Sequence, residues 1–102
     1  MTSIEVTQSD NILRFSCTGH AGFAERGKDI VCAGISALCI ALEQRITRLQ
    51  KEKQTEIKEY IVSDGCFILH FTETAKSEEC LKTILCGFKA IERTYPENCR
   101  LI

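Results

Sequence analysis

Residues 18–38 read TGHAGFAERGKDIVCAGISAL. The first part of this segment contains three glycines, at positions 19, 22 and 27, and glycine admits backbone conformations that other residues avoid. We therefore expect a mobile loop over residues 19–28. An apolar run of helical character follows, so the segment places His20 in the loop and Cys32 near the start of a helix. A histidine and a cysteine placed in this way indicate a cysteine-nucleophile pair.

The predicted helix gives the cysteine its chemistry. Asp29 is a residue type favoured as an N-cap, and the helix is predicted over roughly Ile30 to Lys51. Cys32 then lies among the unpaired backbone N–H groups of the first turn, where the positive end of the helix dipole stabilises a thiolate. A thiolate is the nucleophilic form of cysteine, an imidazole can protonate a leaving amine, and backbone N–H groups can stabilise an oxyanion. The predicted nucleophile is Cys32 and the predicted base is His20.

Each of these residues also has a plainer interpretation. A free cysteine in an apolar helix is most often a small core residue. Asp29 is first of all a helix cap, and its alternative role is to orient His20 or to bind substrate. Ser36, one turn beyond Cys32, is either a small packing residue or a polar group that lines the site. The sequence leaves these alternatives open.

The cysteine content indicates reduced thiols rather than a disulfide framework. The 102 residues include seven cysteines, which is an odd number, and no two of them have CxxC spacing. We therefore expect a cytoplasmic protein. We expect no metal site, because no Cys or His pair has zinc-ligand spacing, and no cofactor. The predicted core cysteines are Cys17, Cys39, Cys80 and Cys86, whereas Cys66 and Cys99 are interpreted as incidental.

Two hairpins of alternating polarity flank the first helix. Residues 3–7 and 12–18 predict one hairpin, and residues 56–63 and 66–72 predict the other around a turn at Asp64-Gly65. The turn sets the register of the second hairpin. On its core face we expect Val62 opposite Phe67, Tyr60 opposite Leu69, and Lys58 opposite Phe71. On the other face we expect Ile61 opposite Ile68, and Glu59 opposite His70 as a surface charge pair. Because Ile57, Ile61 and Ile68 leave that second face apolar, we expect it to be a partner surface in a homodimer.

The remaining pattern predicts the fold class. A second helix begins with Ser77 as its cap and stops at Pro96, and residues 97–102 are interpreted as a short tail. The first two turns of the first helix are apolar or small all round, so we expect them to be covered on every side. The chain is predicted to be a single α+β domain over residues 1–102, a two-layer sandwich in ββαββα order. Its sheet is predicted to be four-stranded and mostly antiparallel, with both helices on one face. The predicted buried stripes are Ile35, Leu38, Leu42, Ile46 and Leu49, then Leu81, Ile84, Leu85, Phe88, Ile91 and Tyr95.

Charge and hydropathy argue against several protein classes. The net charge of −1 is unlike that of a general nucleic-acid binder, which carries a basic stripe. No apolar run is judged long enough to span a bilayer, and residues 1–6 lack the basic segment and apolar core of a signal peptide. We therefore expect neither direct nucleic-acid binding nor membrane association.

Residues 19–38 resemble the signature of the bacterial ribosomal-processing cysteine protease (Prp) family. That family's pattern is close to G-H-A-G-(Y/F)-A-x-x-G-x-D-(I/L)-V-C-A-(A/G)-(I/V)-S, and this sequence matches it almost continuously. Gly34 stands where alanine is commoner, which is a small change inside the helix. The resemblance extends over the whole chain in length and element order.

The resemblance implies a small dimeric α+β cysteine protease. Members of this family remove a short N-terminal extension from a large-subunit ribosomal protein, cutting after a hydrophobic and usually aromatic motif. Carried over to this sequence, Cys32 is the nucleophile and His20 is the base. Asp29 and Ser36 match polar positions around the family's site, and Gly19 and Gly22 match its flexible loop. The expected partner is such an N-terminal extension, and we expect the loop over 19–28 to be disordered without peptide and ordered with it.

Two other functions compete with this one. A non-enzymatic, ribosome-associated docking module would use the same fold, and it would bind ribosomal RNA whether or not Cys32 is present. A thiol enzyme that acts on small molecules would also use a reactive Cys32, although no second cysteine lies close by in sequence to resolve a disulfide. The resemblance favours the protease over both.

Overall fold

The computed structural model describes all 102 residues as a mixed sheet with two helices. Five strands lie in the order β3-β4-β2-β1-β5. The first six elements follow the predicted ββαββα order, and a fifth strand that was not predicted follows the second helix. The elements are β1 (Thr2–Ser9), β2 (Ile12–Thr18), α1 (Ile30–Lys51), β3 (Ile57–Ser63), β4 (Cys66–Thr72), α2 (Ala75–Thr94) and β5 (Cys99–Leu101).

Residues 99–101 form a fifth strand, so the predictions of a four-stranded sheet and of a short tail over residues 97–102 were wrong. β5 pairs in parallel with the start of β1, with Cys99 opposite Thr2. Cys99 is completely buried, so it is a core residue and not the incidental one we expected. A strand of three residues is too short to show an alternating pattern, so no periodicity predicted it.

The hairpins largely follow the predicted pairing. In the β1–β2 turn both Asp10 and Asn11 have positive φ, 54° and 62°, as a type I′ turn requires. Four of the expected β3–β4 pairs are present, but Lys58 does not face Phe71. The register shifts between Ile57 and Glu59, so Ile57 faces Phe71 and packs against the core. The confirmed pairs are Val62 with Phe67, Tyr60 with Leu69, Ile61 with Ile68, and Glu59 with His70.

One hydrophobic core joins the helices to the sheet. The inward residues of β2 and β4 alternate with exposed or half-buried neighbours, which is the pattern of a sheet covered on one face. Phe15 of β2 meets Phe88 of α2 with ring centroids 5.7 Å apart. The buried residues of α1 are Val31, Ile35, Cys39, Leu42, Ile46 and Leu49. Both helices therefore contribute to the same core, as predicted.

Two surfaces that we expected to be covered are exposed. Ile30 on α1 is 61% exposed, so the start of this helix is not enclosed on every side. Tyr60 and Val62 lie on the predicted core face of β3, yet they are 49% and 59% exposed. β3 is an edge strand, so these side chains extend past the core that the helices form with the inner strands.

The second helix begins earlier than predicted. Its N-cap is Thr74, whose side chain accepts a hydrogen bond from the Ser77 backbone N–H. Ser77 completes a capping box from the third helical position, and it is fully buried. Cys86, predicted to be a core residue of this helix, is exposed.

The length and hydropathy of α1 contradict the prediction that no apolar run could span a bilayer. By length and hydropathy, α1 is apolar enough to cross a membrane. Six of its residues belong to the core between helix and sheet, and the core helix of a globular domain has the same composition. The prediction that no apolar run is long enough to span a bilayer was therefore wrong.

Candidate active site

The loop that carries the histidine is tied at its start to the β3–β4 turn. The backbone N–H of Gly19 donates to the carbonyl of Gly65 over 2.8 Å. Gly19 has φ +90°, and a Cβ at this position would collide with the Met1 carbonyl oxygen. Only glycine therefore fits where the chain leaves β2.

Asp29 fastens the other end of the loop to the helix. Its Oδ1 accepts a hydrogen bond from the Cys32 N–H at 2.9 Å, which is the predicted N-cap contact. Its Oδ2 accepts from the N–H groups of Phe23 at 2.9 Å and Ala24 at 3.2 Å. These bonds, the one from Cys32 first, hold the pKa of Asp29 below its usual value. No hydrogen bond or ion pair joins Asp29 to His20, so its carboxylate positions the loop and the helix start.

Cys32 occupies the third position of α1, as the sequence predicts. Its Sγ accepts a hydrogen bond from the backbone N–H of Ala21 at 3.3 Å. Ala21 is 1% exposed, and its carbonyl accepts from the Asn98 side-chain amide at 2.9 Å. The donor that faces the sulfur is thus held by a residue from the end of the chain.

The thiols of Cys39, Cys80 and Cys99 have raised pKa values. Burial raises the pKa of Cys99 to about 11. The pKa of Cys39 is raised by its hydrogen bond with Cys17 and by burial, and burial also raises that of Cys80. These three thiols therefore form the nucleophilic thiolate less readily than an ordinary cysteine. All seven cysteines are free thiols.

His20 lies over the β3–β4 turn. A Cβ on Gly65 would be 3.0 Å from His20 Nε2, so the imidazole packs directly on the glycine. The same Nε2 is 3.6 Å from Asp64 Oδ1, which is too long for a good hydrogen bond but within ion-pair range. The His20 side chain is 62% exposed, and the ring is open to solvent and to ligands.

A single cleft of about 760 Å³ brings the predicted residues together. It lies between the start of α1, the loop and the β3–β4 turn. All of the predicted site residues line it: His20, Cys32, Gly19, Gly22, Asp29 and Ser36. Ser36 is exposed, which agrees with its interpretation as a lining residue. The sequence did not indicate several other lining residues, among them Ile40, Val62, Asp64, Cys66 and Phe67.

The arrangement can support nucleophilic chemistry at sulfur. A thiol at a helix N-terminus, a backbone N–H aimed at that thiol and an imidazole in the same cleft are the components of a thiol hydrolase. No group of three or more His, Cys, Asp or Glu side chains is arranged to hold a metal ion.

Known proteins show the same combination of sequence and fold. A family profile described as cysteine protease Prp matches residues 1–100. The ribosomal processing cysteine protease Prp of Bacillus subtilis (strain 168) is 32% identical over 106 residues, covering 97% of this chain and 92% of that protein. The protein of the same name from Staphylococcus aureus (strain Mu50) is 33% identical over 105 residues, covering 99% and 97%. This chain belongs to the cysteine protease Prp family and is a cysteine protease.

Solved structures of S. aureus Prp have the same fold as this chain. The S. aureus ribosomal processing protease Prp in complex with a covalently linked product peptide has a TM-score of 0.80 at 28% identity, covering 99% of this chain and 97% of the other. Its complex with a substrate peptide has a TM-score of 0.69 at 26% identity, covering 100% and 98%. SMU.848 from Streptococcus mutans, at 24% identity and a TM-score of 0.69, shares the fold.

Proposed function

We propose that this chain is an endopeptidase that removes a short N-terminal extension from a large-subunit ribosomal protein during ribosome maturation. The relatives are named for ribosomal processing, and the S. aureus structures contain substrate and product peptides. The observation that carries the proposal is the Cys32 Sγ, which lies at a helix N-terminus under the Ala21 N–H and shares one cleft with His20.

Cys32 and His20 divide the chemistry between them. The Cys32 thiolate attacks the scissile carbonyl carbon, and the carbonyl oxygen becomes an oxyanion. Protonated His20 then gives its proton to the leaving amine as the C–N bond breaks, which leaves a thioester on Cys32. Neutral His20 next removes a proton from water, the hydroxide attacks the thioester, and the thiolate departs with the acid product released. The chain returns to its starting state with no net change.

A backbone donor beside the sulfur stabilises the oxyanion. The Cys32 N–H already donates to Asp29, so it is not free to face a substrate. The Ala21 N–H is 3.3 Å from Sγ, and the oxyanion forms on the carbon that bonds to this sulfur. Ala21 is therefore the donor best placed for the tetrahedral intermediate. Asp29 supports it indirectly because its carboxylate holds the loop that presents Ala21.

Apolar side chains in the cleft support a hydrophobic substrate. Ile40, Val62 and Phe67 line it, and Ile40 and Val62 are more than half exposed. Apolar side chains left open beside a reactive group gain free energy when a hydrophobic peptide covers them, roughly 25 cal/mol per Å². The loop over 19–28 closes on such a peptide. Hydrogen exchange measured with and without the substrate peptide tests this, and equal protection of the loop in both states would count against it.

A second copy of the chain covers the other face of the second hairpin. Ile61 there is 41% exposed, and its cross-strand partner Ile68 is half-buried. Apolar residues on the open face of a sheet are typical of a subunit interface. Sedimentation of the wild type and of Ile61→Asp tests this homodimer, which should dissociate in the variant. The seven free cysteines support a cytoplasmic location, where thiols stay reduced.

The decisive experiment is cleavage of a peptide that spans the start of the host's ribosomal protein, read by mass. The wild type is expected to cut once, and Cys32→Ala and His20→Ala are expected to lose the cut. Cys66→Ala is the matched control, because Cys66 lines the same cleft but lies on a strand. Its activity should persist. A wild type that binds ribosomal RNA without any cleavage would instead favour the docking-module function.

A further inference from the structure

The β3–β4 turn contributes a carboxylate to the active-site cleft. Asp64 Oδ1 is 3.6 Å from His20 Nε2, and the next residue, Gly65, is the one on which the imidazole packs. The Gly19 N–H also donates to the carbonyl of Gly65, so the turn and the histidine loop are held together by backbone as well. Three contacts therefore hold the turn beside the histidine loop, and the Asp64 carboxylate makes one of them.

We propose that Asp64 is the positioning residue for His20, and that its carboxylate orients the imidazole from the Nε2 edge. The proposal rests on the proposed function, in which His20 acts with Cys32. Asp64 contributes orientation and charge, and the proton transfers are made by His20. The carboxylate stabilises the imidazolium that forms while the thiolate is present.

Asp29 does not fill this role. Its Oδ1 accepts from Cys32 and its Oδ2 accepts from Phe23 and Ala24, so both oxygens are directed at backbone donors. Asp64 is the carboxylate whose oxygen faces the His20 ring.

Solvent exposure sets the strength of the contact. The side chains of His20 and Asp64 are 62% and 68% exposed, so water screens their interaction in the empty cleft. A peptide that fills the cleft removes this water, and the attraction between the two charges then rises. We therefore expect the effect of Asp64 in the catalytic step rather than in the stability of the empty enzyme.

The contact between Asp64 and Arg26 provides a control for the test of Asp64. Asp64 Oδ2 lies 4.0 Å from the guanidinium of Arg26, whose side chain is 92% exposed in the loop. If Asp64 acted by tethering the loop through Arg26, removal of either partner would have the same effect. If it acts through His20, only removal of the carboxylate matters.

The test compares Asp64→Asn, Asp64→Glu and Arg26→Ala with the wild type. Asparagine occupies turns as readily as aspartate, so Asp64→Asn keeps the hairpin and removes only the charge. We expect kcat to fall by about tenfold, equivalent to about 1.4 kcal/mol, with KM nearly unchanged. Asp64→Glu should recover most of the loss, and Arg26→Ala should leave kcat close to that of the wild type. The alkylation rate of Cys32 by iodoacetamide should fall in Asp64→Asn as well, because the thiolate loses its stabilised imidazolium.

The outcomes separate the two proposals. If the wild type cuts, Cys32→Ala does not, and Asp64→Asn has the wild-type kcat, the role of Asp64 is refuted while the protease function stands. Equal losses in Asp64→Asn and Arg26→Ala would also refute it, in favour of a loop tether. If the wild type does not cut the peptide, the substrate assignment fails. The alkylation rates of Cys32 in the wild type and Asp64→Asn then decide the role of Asp64 without a substrate.

Discussion

Replacing Gly65 with alanine tests the position of His20 directly. Gly65 has φ +69°, a conformation that costs an L-residue about 1–2 kcal/mol. The new Cβ would also lie 3.0 Å from His20 Nε2, so the ring has to move by a few tenths of an ångström. The substitution therefore combines a backbone cost with a displacement of the imidazole.

Gly27→Ala separates these two effects. Gly27 has φ +87°, so alanine there carries a similar backbone cost, but nothing lies within 4 Å of its Cβ position. Both variants should lose about 1–2 kcal/mol of unfolding free energy. A misplacement of about 1 Å in a reacting group lowers rates about 100-fold, so the smaller shift in Gly65→Ala should lower kcat about tenfold. Gly27→Ala should retain most of the wild-type kcat.

Urea unfolding and peptide cleavage, measured on the same preparations, give both quantities. Equal stability losses together with a kcat loss in Gly65→Ala alone would support a catalytic His20 that rests on the turn. If Gly65→Ala loses stability but keeps the wild-type kcat, the imidazole does not act from this position. The mechanism proposed above would then be wrong in its geometry.

Three further predictions concern stability, acid sensitivity and specificity. Gly34→Ala should gain about 0.5–1 kcal/mol of unfolding free energy from helix propensity, because its Cβ meets α2 at an ordinary 3.6 Å. Gly87→Ala should have a lower unfolding free energy than Gly34→Ala, because its Cβ would be 2.9 Å from the Leu38 side chain. The pKa of Asp29 is lowered by its hydrogen bonds, so its contribution is present above about pH 4 and is lost as pH falls through the folded-state value. Unfolding of wild type and Asp29→Asn should therefore converge in acid, because asparagine caps without ionising. Ile40→Ala should raise KM for a hydrophobic peptide with a stability change of about 0.5 kcal/mol or less, since Ile40 is 58% exposed.

Local patterns predicted most of the fold and the position of Cys32 at the start of α1. The N-cap at Asp29 and the helical periodicity after it determine where Cys32 lies, and both depend on residues within a few positions of each other. The two-residue turn at Asp64-Gly65 likewise determined the pairing of its hairpin. Interactions of this range are visible in a sequence because neighbouring residues supply both partners.

The errors arose where a distant element decides the outcome. Tyr60 and Val62 alternate as buried residues do, but β3 lies at the edge of the sheet, beyond the core. The bulge between Ile57 and Glu59 shifts one pair, and an extra residue in a strand has no periodic signal. β5 forms because Cys99 fits beside β1, an interaction across almost the whole chain.

The same reasoning explains why the sequence showed only half of the active site. His20 and Cys32 lie in one segment, and a continuous motif reveals them. Asn98, which donates to the Ala21 carbonyl, and Asp64, which faces the imidazole, come from the other half of the chain, and no local pattern assigns either of them to the site. In the proposed mechanism Asn98 orients the N–H donor beside the sulfur, and Asp64 orients the base. A short motif can therefore specify the reacting atoms, while the precision of their arrangement depends on a hairpin and a final strand that only the folded chain brings to them.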